Sequence, residues 1–211
     1  MLKRNMRDLL PAVAGVLILI ANFAISKDLL ARAWPQKPQK MVSKEDLGNP
    51  NQTPIDVTDV KLGAHGVSLS EPFDGDEEWI RNISFKLKNR STKNITYVGA
   101  NLVFSDTTTS DPSMVRQLRF GRKPNQPSLT NDEMLLKPND SVHFSISTQY
   151  ESLKKFIEAK KQLKNIDKVA VSVYLVIFDN GMKWDVGNFY VPDSTEPSGF
   201  RRIAAPPDIV K

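Results

Sequence analysis

The chain has 211 residues, a formal net charge of +5 and no cysteine. Disulfides, thiolate metal sites and cysteine nucleophiles are therefore excluded. A charge this modest and this evenly spread does not mark a nucleic-acid binder, and the missing cysteines fit a bacterial envelope protein better than a small secreted eukaryotic domain.

Residues 1–8 form a short basic tail with Lys3, Arg4 and Arg7. Leu9 to Ile25 then runs without a charge, LLPAVAGVLILIANFAI. At 1.5 Å per residue this run is about 26 Å long as a helix, enough to cross a hydrocarbon core of about 30 Å with slight thinning. Residues 9–26 are therefore expected to be a transmembrane anchor in contact with membrane lipid. The small-x-small triplets Ala24-Ile25-Ser26 and Ala31-Arg32-Ala33 allow signal cleavage, but the run is longer than the usual apolar region of a signal peptide. No cysteine follows it, so it is not a lipoprotein signal. Lysines and arginines flank both ends and do not discriminate orientation. A short basic tail ahead of a first apolar segment usually stays inside, which puts the rest of the chain outside the cytoplasm, periplasmic or extracellular.

Residues 27–54 hold Pro35, Pro38, Pro50 and Pro54 and few large apolar side chains. They are expected to be an extended spacer, with Trp34 either anchoring at the interface or simply exposed. From Ile55 the hydrophobic period becomes two. Val57 and Val60 begin a strand that resumes at Val67 and Leu69. Trp79 to Asn89 is a half-buried strand with Ile83, Phe85 and Leu87 on one face and Ser84, Lys86 and Lys88 on the other. After a polar turn, Ile95 to Phe104 is its partner. Met114, Arg116, Leu118 and Phe120 suggest a further strand, and Leu135 to Ser141 a turn into a strand from Val142 to Ser147.

Tyr150, Leu153, Phe156, Ile157 and Leu163 recur at helical spacing and predict one inserted helix. Val169 to Phe178 is apolar enough for a strand buried on both faces. Asp179-Asn180-Gly181 is a tight hairpin signal, from which Lys183 to Val191 returns. The proline-containing tail, residues 192–211, is expected to dock loosely. About seven strands without βαβ alternation indicate a mostly β domain over residues 55–191, an antiparallel two-sheet β-sandwich with one helix.

Ile83 to Phe104 carries a strand ending in a polar Asn, a short polar turn at Arg90-Ser91-Thr92-Lys93, and then Ile95-Thr96-Tyr97-Val98 leading an apolar strand. Leu136-Lys137-Pro138 before Phe144 adds a Leu-x-Pro turn. Over about a third of the chain this resembles the immunoglobulin-like accessory domains of bacterial envelope proteins, the FxLyD-type domains among them. Phe85 and Leu87 match the F-x-L spacing, and Asn89 stands where an Asp would. The resemblance implies an immunoglobulin-like fold and says little about function.

No motif for catalysis stands out. His65 and His143, the two histidines, lie in strand regions and are read as half-buried. Ser152 and Lys155 match Ser-x-x-Lys without its companion motifs. Asp74, Asp76 and Glu78 alternate as calcium ligands can, but the loop lacks the Gly and terminal Glu of a calcium loop. Asn-x-Ser/Thr triplets at Asn51, Asn82, Asn89, Asn94 and Asn139 would matter only in a eukaryotic secretory protein. No catalytic residue, cofactor or metal is assigned. The function expected is that of a membrane-tethered, non-enzymatic interaction module with a protein or cell-envelope partner. An enzyme or ligand-sensing domain whose site assembles only in three dimensions is the alternative. The candidate partner-binding residues are Arg116, Arg119, Phe120, Arg122 and Lys123, in the longest stretch without a strong core signal. Arginine beside an aromatic is the composition that interface hot spots favour. The competing expectation is an ordinary strand with Leu118 and Phe120 in the core and the basic side chains merely solvated.

Overall fold

The structure is a computed structural model that describes residues 39–106, 113–123, 134–159, 165–206 and 209. The basic tail, the apolar run and the start of the spacer lie outside the described residues. Among the described residues no helix is long and apolar enough to cross a membrane.

The described part is mostly β, in two sheets with one helix. The strands are β1 (Gln39–Glu45), β2 (Ile55–Leu62), β3 (His65–Gly66), β4 (Pro72–Asp74), β5 (Ile83–Asn89), β6 (Ile95–Ser105), β7 (Met114–Gly121), β8 (Ser141–Ser145), β9 (Lys168–Phe178), β10 (Lys183–Asp185), β11 (Asn188–Pro192) and β12 (Phe200–Ile203). The helix α1 (Tyr150–Glu158) joins the two sheets, between β8 and β9. The smaller sheet has the order β3-β2-β5-β8. In the larger sheet β9 is central: β6 and then β7 lie on one side, and β1-β4 and β10-β11-β12 share the other. Apolar side chains of both sheets meet in one buried cluster that includes Val57, Phe85 and Leu87 from one sheet and Val42, Leu102, Val171 and Trp184 from the other. α1 adds Tyr150, Leu153 and Ile157 to it.

The strongest periodic segments fold as their sequence indicates. β5 alternates strictly, with Ile83, Phe85, Leu87 and Asn89 buried. β9 is buried along nearly its whole length, as a central strand must be. The hairpin at Asp179–Gly181 is present, with Gly181 at φ 81° and Phe178 N–H donating to Met182 O at 2.9 Å.

Five expectations need correction. Ile95–Ser105 is a strand, β6, but not the partner of β5: β6 pairs with β7 and β9 in the larger sheet and β5 with β2 and β8 in the smaller, so the turn closed by Asn89 and Ser91 carries the chain from one sheet to the other. Gln39–Glu45 is not spacer but β1, which runs parallel to β9 from Met41↔Lys168 to Glu45↔Ser172, so the larger sheet is mixed rather than antiparallel. Polarity hides this strand because its lysines point inward and are paired. Lys40 is 2% exposed and donates to Ile166 O at 2.8 Å, while Lys44 reaches Asp46 at 3.0 Å and Asp56 at 3.2 Å. Trp79–Asn82 is a 3-10 turn rather than the start of β5. Lys183 to Val191 is not one strand but a second hairpin, β10–β11, turning at Val186 (φ 44°) and Gly187 (φ 84°). The tail is not loose throughout: β12 pairs with β11, and Ile203 and Ile209 pack on the core.

Candidate functional site

β7 is built by the alternation of Met114, Arg116, Leu118 and Phe120, which share the side of the strand that faces the core. Met114 is 5% and Phe120 9% exposed, and Leu118 packs against the cluster while Arg116 is half-buried between them. Val115, Gln117 and Arg119 point the other way and are exposed. The strand expectation thus holds for residues 114–121, and Phe120 belongs to the core rather than to a recognition surface. Arg122 follows the strand exposed, and its N–H donates to Thr96 O at 3.1 Å.

The register with β6 runs from Phe104↔Met114 to Tyr97↔Gly121. It sets Arg119 opposite Gly99. The Tyr174 ring lies over Gly99, so that a Cβ there would come 2.7 Å from Tyr174 Cζ. Arg119 Nη2 donates to Gln117 Oε1 at 3.0 Å, and the Lys123 ammonium sits 5.6 Å from the centre of the Tyr97 ring. Burial first, and the neighbouring Tyr174 second, push the Tyr97 hydroxyl up to about 12. Of the candidate residues, Arg119 and Lys123 therefore converge on a two-tyrosine patch, Arg122 lies just past it, and Arg116 sits on the opposite side of the same strand. Tyr174 had no signal in the sequence beyond the period of its strand, and Tyr97 was marked only by the Ile95-Thr96-Tyr97-Val98 pattern, which bears on the fold and not on a site.

β7 pairs with β6 alone among the described strands. It is the longest edge strand of the described residues, eight residues against five in β8, four in β12, three in β4 and two in β3. The free part of β2 is broken by a bulge between Thr58 and Lys61. Short or bulged edges are how folded proteins avoid unwanted pairing, and basic side chains are another device for it. β7 uses only the second. No carboxylate of the described residues forms an ion pair with Arg116, Arg119, Arg122 or Lys123.

The other sequence candidates do not assemble. His65 and His143 are both exposed rather than half-buried. They lie on β3 and β8, the opposite edges of the smaller sheet, three strand spacings or about 14 Å apart across it and further separated along the strands, since the register places them at Ile83 and Lys86 of β5. Ser152 and Lys155 lie on the solvent side of α1. The acidic loop is spent on separate contacts. Asp74 accepts from Gln39 at 2.6 Å, Asp76 from Glu78 N–H at 2.9 Å, and Glu78 meets Arg81 at 3.8 Å and Lys154 at 3.6 Å. Among the described residues no set of His, Asp and Glu is arranged to hold a metal ion.

One buried ionic cluster escaped sequence reading. Lys40 Nζ and Trp79 Nε1 both donate to Ile166 O, at 2.8 and 3.2 Å. Desolvation lowers the Lys40 pKa against the opposing pull of Asp167 and Asp106. A Cβ at Gly75 would run into Lys40 Cγ. The lysine is thus roofed over, and it clamps β1 and the Trp79 turn to the entry of β9.

Comparison of the chain with protein-family models, with curated proteins and with solved structures finds no match.

Proposed function

We propose that this protein is a single-pass, membrane-tethered interaction module. Its folded domain, an immunoglobulin-like sandwich, lies outside the cytoplasm and binds a protein or cell-envelope partner without catalysing a reaction. The observation that carries the binding role is the β7 edge: eight residues of strand, unpaired on one side among the described residues, whose exposed and half-buried cations have no carboxylate partner there. Cations left in that condition favour an acidic partner. The tether rests on the uncharged run from Leu9 to Ile25, and the sandwich on two sheets that share one core together with the FxLyD-like pattern from Ile83 to Phe104.

The test is charge reversal of Arg119, Arg122 and Lys123 together in the full-length chain, followed by crosslinking in native membranes. Arg119 and Arg122 are exposed and Lys123 is half-buried over the Tyr97 ring; exposed substitutions usually shift stability by no more than about 0.5 kcal/mol, so the variant should stay folded, which its melting curve checks, and lose its partner. A folded variant that captures the same partner as before contradicts the proposal.

A further inference from the structure

From the β7 edge we infer the mode of recognition and the chemistry of the ligand: an extended acidic segment of a partner protein adds to the larger sheet as a strand beside β7. The inference rests on the interaction-module reading above and goes beyond it by committing to main-chain pairing.

Three features of β7 lead there. The strand offers about 26 Å of edge, with alternate N–H and C=O groups turned away from β6, and main-chain pairing to such an edge is a recurrent way of binding peptides. Its two sides differ. On the core side Met114 and Phe120 are buried and Leu118 is half-buried, so apolar residues on that side of an added strand would continue the apolar layer past Leu118. Arg116 interrupts that side between Met114 and Leu118, and Arg119 stands on the other side among Val115 and Gln117. Cross-strand neighbours of opposite charge stabilise a pair and like charges oppose it.

Charge also argues against a second copy of this chain. A two-fold antiparallel pairing of β7 with itself keeps like sides together and, in any register, brings the second copy's Arg116, Arg119, Arg122 and Lys123 to an edge that has no carboxylate of its own. An acidic strand brings the opposite charge. Its carboxylates stand opposite Arg116 and Arg119, three positions apart and hence on opposite sides, with apolar residues opposite Met114, Leu118 and Phe120. In antiparallel order the complement is Val-Glu-Val-Thr-Glu-Val-Val.

The experiment uses that peptide, acetylated and amidated, with the full-length protein in detergent micelles. The same peptide in reversed order tests parallel pairing. A third peptide has lysine for both glutamates. A fourth has proline for the threonine, which keeps the charge and removes the capacity to pair. Binding is read by anisotropy of a labelled peptide, and pairing by amide hydrogen exchange across residues 114–121. The acidic peptide in one of its two orders should bind and slow exchange of the outward-facing β7 amides about tenfold or more, the proline peptide should bind at least tenfold more weakly, and the lysine peptide should not bind. In the double variant Arg116→Glu, Arg119→Glu the preference should invert, with the lysine peptide now bound; that inversion cannot arise from misfolding. Equal binding of the acidic and proline peptides without protection of β7 overturns strand addition while leaving an acidic-partner surface standing. Protection that appears on β8 or another edge overturns the assignment to β7. Failure of the acidic peptide to bind in either order, or equal binding of the lysine peptide, overturns both the inference and the reading beneath it.

Discussion

Asn89 shows how one side chain closes a turn that the sequence only hints at. It is fully buried, and its amide nitrogen donates to Lys93 O at 2.8 Å and to Leu136 O at 2.9 Å. Its carbonyl oxygen accepts from Ser91 N–H at 2.9 Å and from Ser91 Oγ at 2.6 Å. Every strong hydrogen-bonding site of the amide is thus used to hold the β5–β6 turn against Leu136, in the segment leading to β8. Asn89→Ala should cost about 2 kcal/mol in chemical denaturation, because the two carbonyls it serves stay buried without it. Asn89→Asp should cost more, since a carboxylate would face those same carbonyls. The sequence marked Asn89 as a strand-ending polar residue and as a glycosylation triplet. Burial decides between the two, and burial depends on Leu136, which is distant in the chain. Tyr97 gives a pH signature at the same scale. Its folded-state value of about 12 lies above the ordinary value of 10.0. The folded state therefore holds this proton more tightly, and the stabilisation it brings is complete below pH 10 and is lost as pH rises through about 12. Tyr97→Phe should flatten the fall in stability between pH 10 and 12, measured by denaturation at each pH. Its effect at neutral pH should be small, because the substitution removes one neutral hydroxyl and leaves the buried ring in place.

Among the elements, β5 was legible because its burial alternates strictly, and β6 and β9 because they are apolar and β-branched along most of their length. β1 was not, because its inward positions include Lys40 and Lys44, and a strand signal that counts apolar residues fails where buried cations are paired instead. Lys40→Met should test this clamp. Removing one member of a buried ionic cluster typically costs about 3 kcal/mol or more, and the loss should appear in equilibrium unfolding together with faster amide exchange in residues 39–45. Unchanged stability would mean that the lysine is held by its aliphatic stem alone. The second hairpin was missed for a different reason. Val186 is an unusual residue for positive φ, so only Gly187 signalled the turn. Gly187 also abuts Gly48, and a Cβ on it would come 2.8 Å from Leu47 O and 2.9 Å from Gly48 Cα. Gly187→Ala should therefore cost about 2 kcal/mol or more, from strain and contact together. Gly181→Ala, which meets only Pro192 Cγ at 3.2 Å, should cost about 1 kcal/mol. Comparison of the two midpoints separates contact from conformation.

In the molecule as a whole, two features combine: an apolar N-terminal run and a domain with one long basic edge. Arg119, Arg122 and Lys123 were visible in the sequence as basic residues in a weakly patterned stretch. That Met114–Gly121 ends a sheet was not visible, because edge status depends on which strands pair and not on any residue of the strand itself. The inward placement of Phe120 was likewise open until β6 set the register. The proposed tether makes its own prediction: the full-length chain should stay with the membrane through carbonate and high-salt washing. Release by salt, or a mature chain beginning near Lys27 or Trp34, would contradict it. The most direct test of the molecule as an interaction module is a photo-crosslinking amino acid at Gln117, exposed in the middle of β7, in the full-length chain in its native membranes. The expected result is one discrete adduct whose crosslinked peptide, identified by mass spectrometry, is acidic, and which disappears when Arg116 and Arg119 are reversed to glutamate. No adduct from this position, or an adduct that survives the reversal, would contradict the assignment of function to this edge.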